Sequence, residues 1–162
     1  MVVKTDFLIR RGFPGEFVSM SALAVRAWRI AARDIELSAE GQKALEAKFQ
    51  RDLQENADGV LAAERAGALA GWGARVPQSN YISDLWVDPP YHGQGIGRQL
   101  LDALMAKILL DGFDEALIGT HADNLPAINL YKKAGFQIDW QGDEWSESFG
   151  RTVEKVRMRA DL

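Results

Sequence analysis

The run His92-Gly93-Gln94-Gly95-Ile96-Gly97 stands between a compact apolar stretch and a strongly periodic helical segment. Glycines in such a turn let successive backbone N–H groups point the same way. A helix starting directly behind them leaves its first amides unpaired and turns the positive end of its dipole toward the same point. A phosphate-bearing ligand is the natural occupant, although a turn with no ligand could use the same glycines. Two nucleotide patterns do not fit. No Gly-Lys-Ser/Thr closes the turn, and the dinucleotide fingerprint belongs to an early strand–helix–strand unit with an acidic residue on the next strand. The chain has no cysteine, which excludes disulfides, thiolate metal sites and any covalent route through a protein thiol. Its two histidines, His92 and His121, and its scattered carboxylates outline no metal centre, so none is expected.

The elements that must position this turn are legible from periodicity and punctuation. Phe7–Arg10 reads as an opening strand stopped by Gly12 and Pro14-Gly15. Ala22, Val25, Trp28 and Ala32 give Val18–Arg33 one buried helical stripe, and Ser38 caps a second helix carrying Leu45, Phe49 and Leu53. Gly59–Glu64 and Ala68–Val76 flank Arg65-Ala66-Gly67 as a hairpin. Tyr81–Val87 is a strand ended by Asp88-Pro89-Pro90. A helix from Gly97 or Arg98 to Leu110 presents Leu100, Leu101, Leu104, Met105 and Ile108 on one face. Glu115–Thr120 is a short strand, and Asn124–Ala134 a helix with Pro126 in its first turn and Gly135 at its end. Phe136–Trp140 and Thr152–Arg159 close the chain as strands joined by a polar loop through Asp143, Ser146 and Gly150.

With 162 residues, 47% apolar and 26% charged, the chain has ordinary globular composition and enough length for one core. Lys and Arg total 19 against 23 acidic residues, a net charge of -4, which argues against nucleic acid as a partner. Met1–Asp6 reaches a charge too soon for a signal peptide, and no apolar run approaches a membrane span. The expectation is a cytoplasmic protein with no membrane association.

Two ordered patterns then carry a resemblance. His92-Gly93-Gln94-Gly95-Ile96-Gly97 is similar to the signature of Arg or Gln, two residues, Gly, one residue, Gly or Ala, with His92 in place of the usual Arg or Gln. Asn124, Ala127, Tyr131, Gly135 and Phe136 match a second element at the usual separation. The chain thereby resembles the GNAT superfamily of acetyl-CoA-dependent N-acetyltransferases, most strongly from Tyr81 to Phe136. The resemblance implies that residues 1–162 form a single N-acetyltransferase domain. Its fold class would be mixed α/β, a central mixed, mostly antiparallel sheet covered by helices on both faces, with acyl-CoA in the opening between the fourth and fifth strands.

The resemblance also implies residue roles. Leu85, Trp86 and Val87 would offer backbone groups to the pantetheine arm, and one strand amide near Val87 would face the carbonyl oxygen that gains charge. His92, Gly93, Gln94, Gly95, Ile96, Gly97 and Arg98 would surround the pyrophosphate, and Asn124 would lie near the pantetheine or cap its helix. Tyr131 would donate a proton to the leaving thiolate, unless it merely packs its helix on the sheet. Asp84 lies in an apolar strand, where desolvation raises proton affinity and suits removal of the amine proton directly or through water. Alternation puts it on the face of Ile82 and Trp86, and an ion pair or backbone anchor is its other reading. Glu64 and His121 are further candidates for a base. Trp28, Trp72, Trp86 and Trp145 could wall an acceptor pocket, and Glu36, Glu40, Asp143, Glu144 and Glu147 could attract a cationic amine or simply be solvated.

The implied reaction is acetyl transfer from acetyl-CoA to a primary amine of a small molecule or amino acid, by direct attack. An acyl-CoA sensor without catalysis, a purely structural protein, and acetylation of a protein amine are the alternatives. A homodimer is compatible with the resemblance.

Overall fold

The computed structural model describes residues 7–32, 35–147 and 149–162; the expectations for Met1–Asp6 and for Arg33 fall outside them. The strands are β1 (Leu8–Arg11), β2 (Val60–Arg65), β3 (Ala68–Arg75), β4 (Tyr81–Val87), β5 (Glu115–His121), β6 (Gln137–Ser146) and β7 (Arg151–Asp161). The helices are α1 (Phe17–Ala31), α2 (Ala39–Glu55), α3 (Ile96–Leu110) and α4 (Leu125–Lys133). They build a mixed α/β fold around one seven-stranded sheet in the order β1-β2-β3-β4-β5-β7-β6. Every neighbouring pair is antiparallel except β4 with β5.

Each face of the sheet carries its own core. Phe17, Met20, Trp28, Leu45, Phe49 and Leu53 of α1 and α2 pack with Trp72 and Ala74 on one side. Leu100, Leu101, Leu104 and Ile108 of α3 and Ile128 and Tyr131 of α4 pack with Ile82, Ile118 and Met158 on the other. Each fully buried aliphatic or aromatic side chain of this kind contributes about 1.5–3 kcal/mol. Trp72 closes the first core with a hydrogen bond, its indole Nε1 donating to the Met20 carbonyl at 2.8 Å. Among the described residues, no helix is long and apolar enough to cross a membrane.

The alanine and glycine content of β2 and β3 is a packing requirement, because helices press on both faces at the centre of the sheet. A Cβ on Gly73 would sit 2.9 Å from the Leu104 Cδ1, and one on Gly71 only 2.7 Å from the main-chain oxygen of Trp86. The hairpin between these strands turns on Ala66 and Gly67, both at positive φ, which is the geometry a two-residue connection favours.

One element departs from expectation. The polar stretch Gln141–Ser146, read as loop, continues β6, and the connection shrinks to residues 147–150. As the outermost strand, β6 has solvent on much of its surface, so polar residues suit it. Cross-strand contacts add support: Arg157 donates to Glu144 at 3.1 Å, and Gln141 donates to Glu154 at 3.0 Å.

The approach at Gly71 generates a stability test. Gly71→Ala forces a methyl against rigid backbone, so it should destabilise the fold by about 1–3 kcal/mol. Urea unfolding followed by far-UV circular dichroism measures the loss, and an unchanged midpoint contradicts the packing described.

Candidate active site

The strand β4 sets the geometry, and it is irregular. Its register against β3 steps from Asp84 opposite Ala74 to Ile82 opposite Arg75, so Ser83 is an extra, bulged residue. A bulge bends the strand and re-aims the side chains that follow. Strict alternation would have put Asp84 on the face of Ile82 and Trp86. The bulge instead leaves Ile82 in the α3/α4 core and turns Asp84 toward the α1/α2 side with Trp86.

Beyond the same point β4 parts from β5. Their parallel pairing covers only Tyr81 with Leu117 and Ile82 with Ile118, fastened below by the Asn80 carbonyl, which accepts from the Leu117 amide at 2.9 Å. β5 meanwhile stays paired with β7 along its whole length. Above Ile82 the sheet is therefore split, and a cleft of about 800 Å³ opens between β4, β5, α3 and α4, reaching α1.

The Asp88 main-chain amide donates to the Ala70 carbonyl at 2.9 Å, and Trp86 pairs with Trp72. By alternation the main-chain groups of Trp86 face β3, while those of Leu85 and Val87 face the opening. Trp86 thus lines the cleft with its main chain engaged by β3, unlike the open backbone expected of it.

At the cleft's upper end, Asp88 and the two prolines end β4 in a 3-10 turn, Pro89–Tyr91. Arg26 of α1 grips the Asp88 carboxylate with both Nε and an Nη, each at 3.0 Å, which fixes this junction against the first helix. Gly93 (φ 76°) and Gly95 (φ 84°) then reverse the chain into α3. A side chain at either position would be strained, yet a Cβ there would meet nothing within 4 Å. Ser38 and Asn124 cap α2 and α4 with their side chains, but α3 has no side-chain cap. Open space, left-handed glycines and uncapped first-turn amides together make a cradle that fits a phosphate.

His92, Gly93, Gly95, Ile96, Gly97 and Arg98 line this end, as do Leu85, Trp86, Val87 and Asn124 farther in. The His92 Nε2 lies 2.7 Å from the Val87 carbonyl, so the ring holds the turn against the end of β4. Arg98 reaches across to the Lys133 carbonyl at the end of α4. Asn124 accepts from the Ala127 amide and donates to the Thr120 hydroxyl at 3.0 Å, so it caps α4 and faces the cleft at once. Gln94 is not brought in; its side chain accepts from Arg65 of the hairpin.

Tyr131 lies in the cleft wall, 6% exposed. Burial pushes its phenol well above the ordinary tyrosine range, with the nearby Tyr81 acting in the same sense, so it remains protonated. Asp84 is the other titratable group deep in the wall. Burial raises its proton affinity, opposed by hydrogen bonds donated by the Trp86 Nε1 at 3.1 Å and the Ser83 hydroxyl at 3.0 Å, and by the charge of Lys48.

The remaining candidates stand elsewhere. Glu64 lies on β2, 3.7 Å from Arg10. His121 packs edge-on against Phe149, ring centroids 4.1 Å apart, and burial lowers its pKa to about 4. Trp28 and Trp72 are core residues, while Trp145 is exposed on β6. Glu144 and Glu147 pair with Arg157 and Arg51. Sequence reasoning missed Thr120, Asp123 and Leu130 as lining residues; only their proximity to Asn124 and Tyr131 in the chain pointed to them.

Residues 22–136 match the Acetyltransferase (GNAT) family. The L-methionine sulfoximine/L-methionine sulfone acetyltransferase of Pseudomonas aeruginosa is 28% identical over 92 residues, 57% of this chain and 51% of that protein. An N-alpha-acetyltransferase of Mycobacterium tuberculosis is 33% identical over 99 residues, 56% of this chain and 60% of that protein. The chain thus spans about half the length of these curated relatives. A GCN5-related N-acetyltransferase from Rhodopseudomonas palustris superimposes with a TM-score of 0.81 at 23% identity, over 100% of this chain and 99% of that one. The PaiA N-acetyltransferase from Thermoplasma acidophilum, solved in complex with coenzyme A, gives 0.73 at 18% identity, over 97% and 99%. At these identities the structural likeness is one of fold.

The raised proton affinity of Asp84 has a consequence for stability. A group that binds its proton more tightly when folded stabilises the fold below its unfolded pKa, and that contribution is lost as pH rises through the folded value. Ionised Asp84 therefore weighs against folding at neutral pH. Asp84→Asn should raise the melting temperature at about pH 8 and give little gain near pH 3, where both side chains are neutral. Thermal melts of both proteins across that range test it; equal melting temperatures throughout overturn the assignment of a strained carboxylate.

Proposed function

The chain belongs to the Acetyltransferase (GNAT) family, and on that premise we propose that it transfers an acetyl group from acetyl-CoA to a primary amine of a small molecule or amino acid. The observation that carries this reading is the parting of β4 from β5 after Ile82, which gathers the glycine cradle, Tyr131 and Asp84 around one cleft. Acetyl-CoA, when bound, supplies an acyl group already activated as a thioester. The chain's own residues hold and orient it. First-turn amides of α3 and the Gly93–Gly95 turn receive the pyrophosphate, and the free main-chain edge at Leu85 and Val87 receives the amide-bearing arm as an added strand would be received. The Val87 amide is suited to stabilise charge developing on the carbonyl oxygen.

An ammonium has no lone pair, so the acceptor must lose a proton before it attacks. Asp84, its proton affinity raised by burial, takes that proton directly or through one water. Tyr131, in the wall of the same cleft, would stand beside the departing sulfur. A thiol ordinarily titrates near 8.5, below even an unperturbed phenol, and burial widens the gap. Tyr131 therefore stabilises the thiolate chiefly by donating a hydrogen bond, with complete transfer of its proton uphill.

The relatives' names divide between an amino-acid analogue and protein N-termini as acceptors. The limited volume of the cavity beside Asp84 on the α2 side, about 470 Å³, favours the smaller class for this chain. The test is release of free thiol from acetyl-CoA in the presence of primary amines. Tyr131→Phe should lower turnover by about tenfold to a hundredfold with little change in acetyl-CoA affinity. Unchanged turnover removes Tyr131 from the chemistry, and absence of thiol release with every amine tried leaves only an acyl-CoA-binding protein.

The cradle is tested separately by Gly95→Glu. A left-handed backbone strained by about 1–2 kcal/mol, plus a carboxylate aimed at the phosphate position, should abolish acetyl-CoA binding measured by calorimetry. Retained affinity would show that the pyrophosphate lies elsewhere.

A further inference from the structure

A second cavity, of about 470 Å³, lies on the α1/α2 side of the sheet and shares only Ser83 and Asp84 with the large cleft. α2 forms one wall with Lys48, Asp52 and Glu55, while Trp72 and Ala74 of β3 form the floor and Val76 stands at the edge. Its inner end is Ser83 and Asp84, which also belong to the lining of the large cleft. The bulge in β4 is thus a wall common to two spaces, and Asp84 borders both.

Direct transfer requires donor and acceptor to be bound together. A donor extended along the cleft from the glycine cradle to Tyr131 would occupy the near side of Asp84, which leaves the α2 side as a separate way in for the acceptor. From this geometry, and resting on the transferase reading above, we infer that the acceptor enters through the α2 cavity and that it is a small amine with an apolar stem and a second cationic group.

Charge and surface specify that class. The lining carries three carboxylates and one ammonium. Lys48 is committed to Asp52 at 2.8 Å, so this pair presents little net charge. Asp84 and Glu55 are left, the first deep at the junction and the second exposed at the rim one helical turn beyond Asp52. The lining beside them includes Leu53, Val60, Trp72 and Ala74, which offer apolar contact to methylenes, and Asn56, whose amide already donates to the Arg75 carbonyl. An amine that places its reacting nitrogen at Asp84 and its second cation at Glu55 satisfies both ends. A carboxylate in place of the second cation would meet Glu55 with like charge.

The experiment compares three acceptors of equal chain length with saturating acetyl-CoA: an alkyl diamine, the matching monoamine and the matching ω-amino acid. The diamine should exceed the monoamine in kcat/KM by about tenfold, the scale of one partly screened charge pair, and the ω-amino acid should be poorest. Glu55→Gln should reduce the diamine's advantage about threefold or more through KM, with kcat held. Val76→Trp, at a position 41% exposed at the mouth, should raise KM for every amine. Neither change should alter the Kd for acetyl-CoA. Equal use of the three acceptors, preference for the ω-amino acid, or a KM indifferent to both substitutions overturns the inference. If wild-type protein binds acetyl-CoA and acetylates a peptide N-terminus while Glu55→Gln leaves KM unmoved, the α2 entrance alone is wrong. If it binds no acetyl-CoA, the transferase reading falls as well.

Discussion

Everything at the site follows from the loss of pairing between two parallel strands after only two residue pairs. Backbone donors and acceptors in a sheet are normally satisfied by the neighbouring strand, and an interior edge left open is costly unless something else completes it. Here the opening is held by constraints on both sides. β5 is fully engaged with β7, and β4 is bent by its bulge and anchored to β3. Each half is thus held by the ladder on its far edge while the near edges diverge. The unpaired edge and the uncapped start of α3 at its end are the features on which the proposed seating of a chain-like, anionic donor rests.

Electrostatic cost is concentrated at one residue. Asp84 has two hydrogen-bond donors and a lysine charge to favour its ionised form, yet burial still prevails and raises its proton affinity. A group placed for structure alone would be expected to reach a strong partner, as Asp88 does with Arg26. The neighbouring Tyr131 is perturbed in the same direction by burial, but for a phenol this only reinforces the neutral form. Burial thus acts on the two groups differently, opposing the charged form of one and confirming the neutral form of the other, which is what the proposed division of proton acceptor and hydrogen-bond donor requires.

Much of this was readable from residues. The glycine turn, the amphipathic α3 and the Asn124 cap rest on local rules of spacing and stereochemistry, and they stand where those rules put them. The sheet order, with both faces covered, agrees with the resemblance. The bulge was not readable, because Ser83 has no distinguishing chemistry and an alternating pattern assumes that no residue is extra. Nor was the direction of Gln94, which depends on an arginine from a distant hairpin. The length of β6 was missed because polarity marks both loops and outer strands. Asp52 and Glu55 carry no signal of their own in the sequence, since the cavity they border exists only once α2 lies over β3 and β4.

The bulge at Ser83 also makes the site a matter of parity. Side chains along a strand alternate between faces, so one additional residue inverts every later assignment, and Asp84, Leu85, Trp86 and Val87 all lie downstream of it. A lineage that lost or gained a single codon in this strand would exchange the carboxylate for an aliphatic group at the junction of the two cavities while keeping composition, hydropathy and helices almost intact. Change by two codons would preserve the assignment. Among homologous chains, the evenness of length variation in β4 thus distinguishes those that retain this arrangement from those that share only the scaffold.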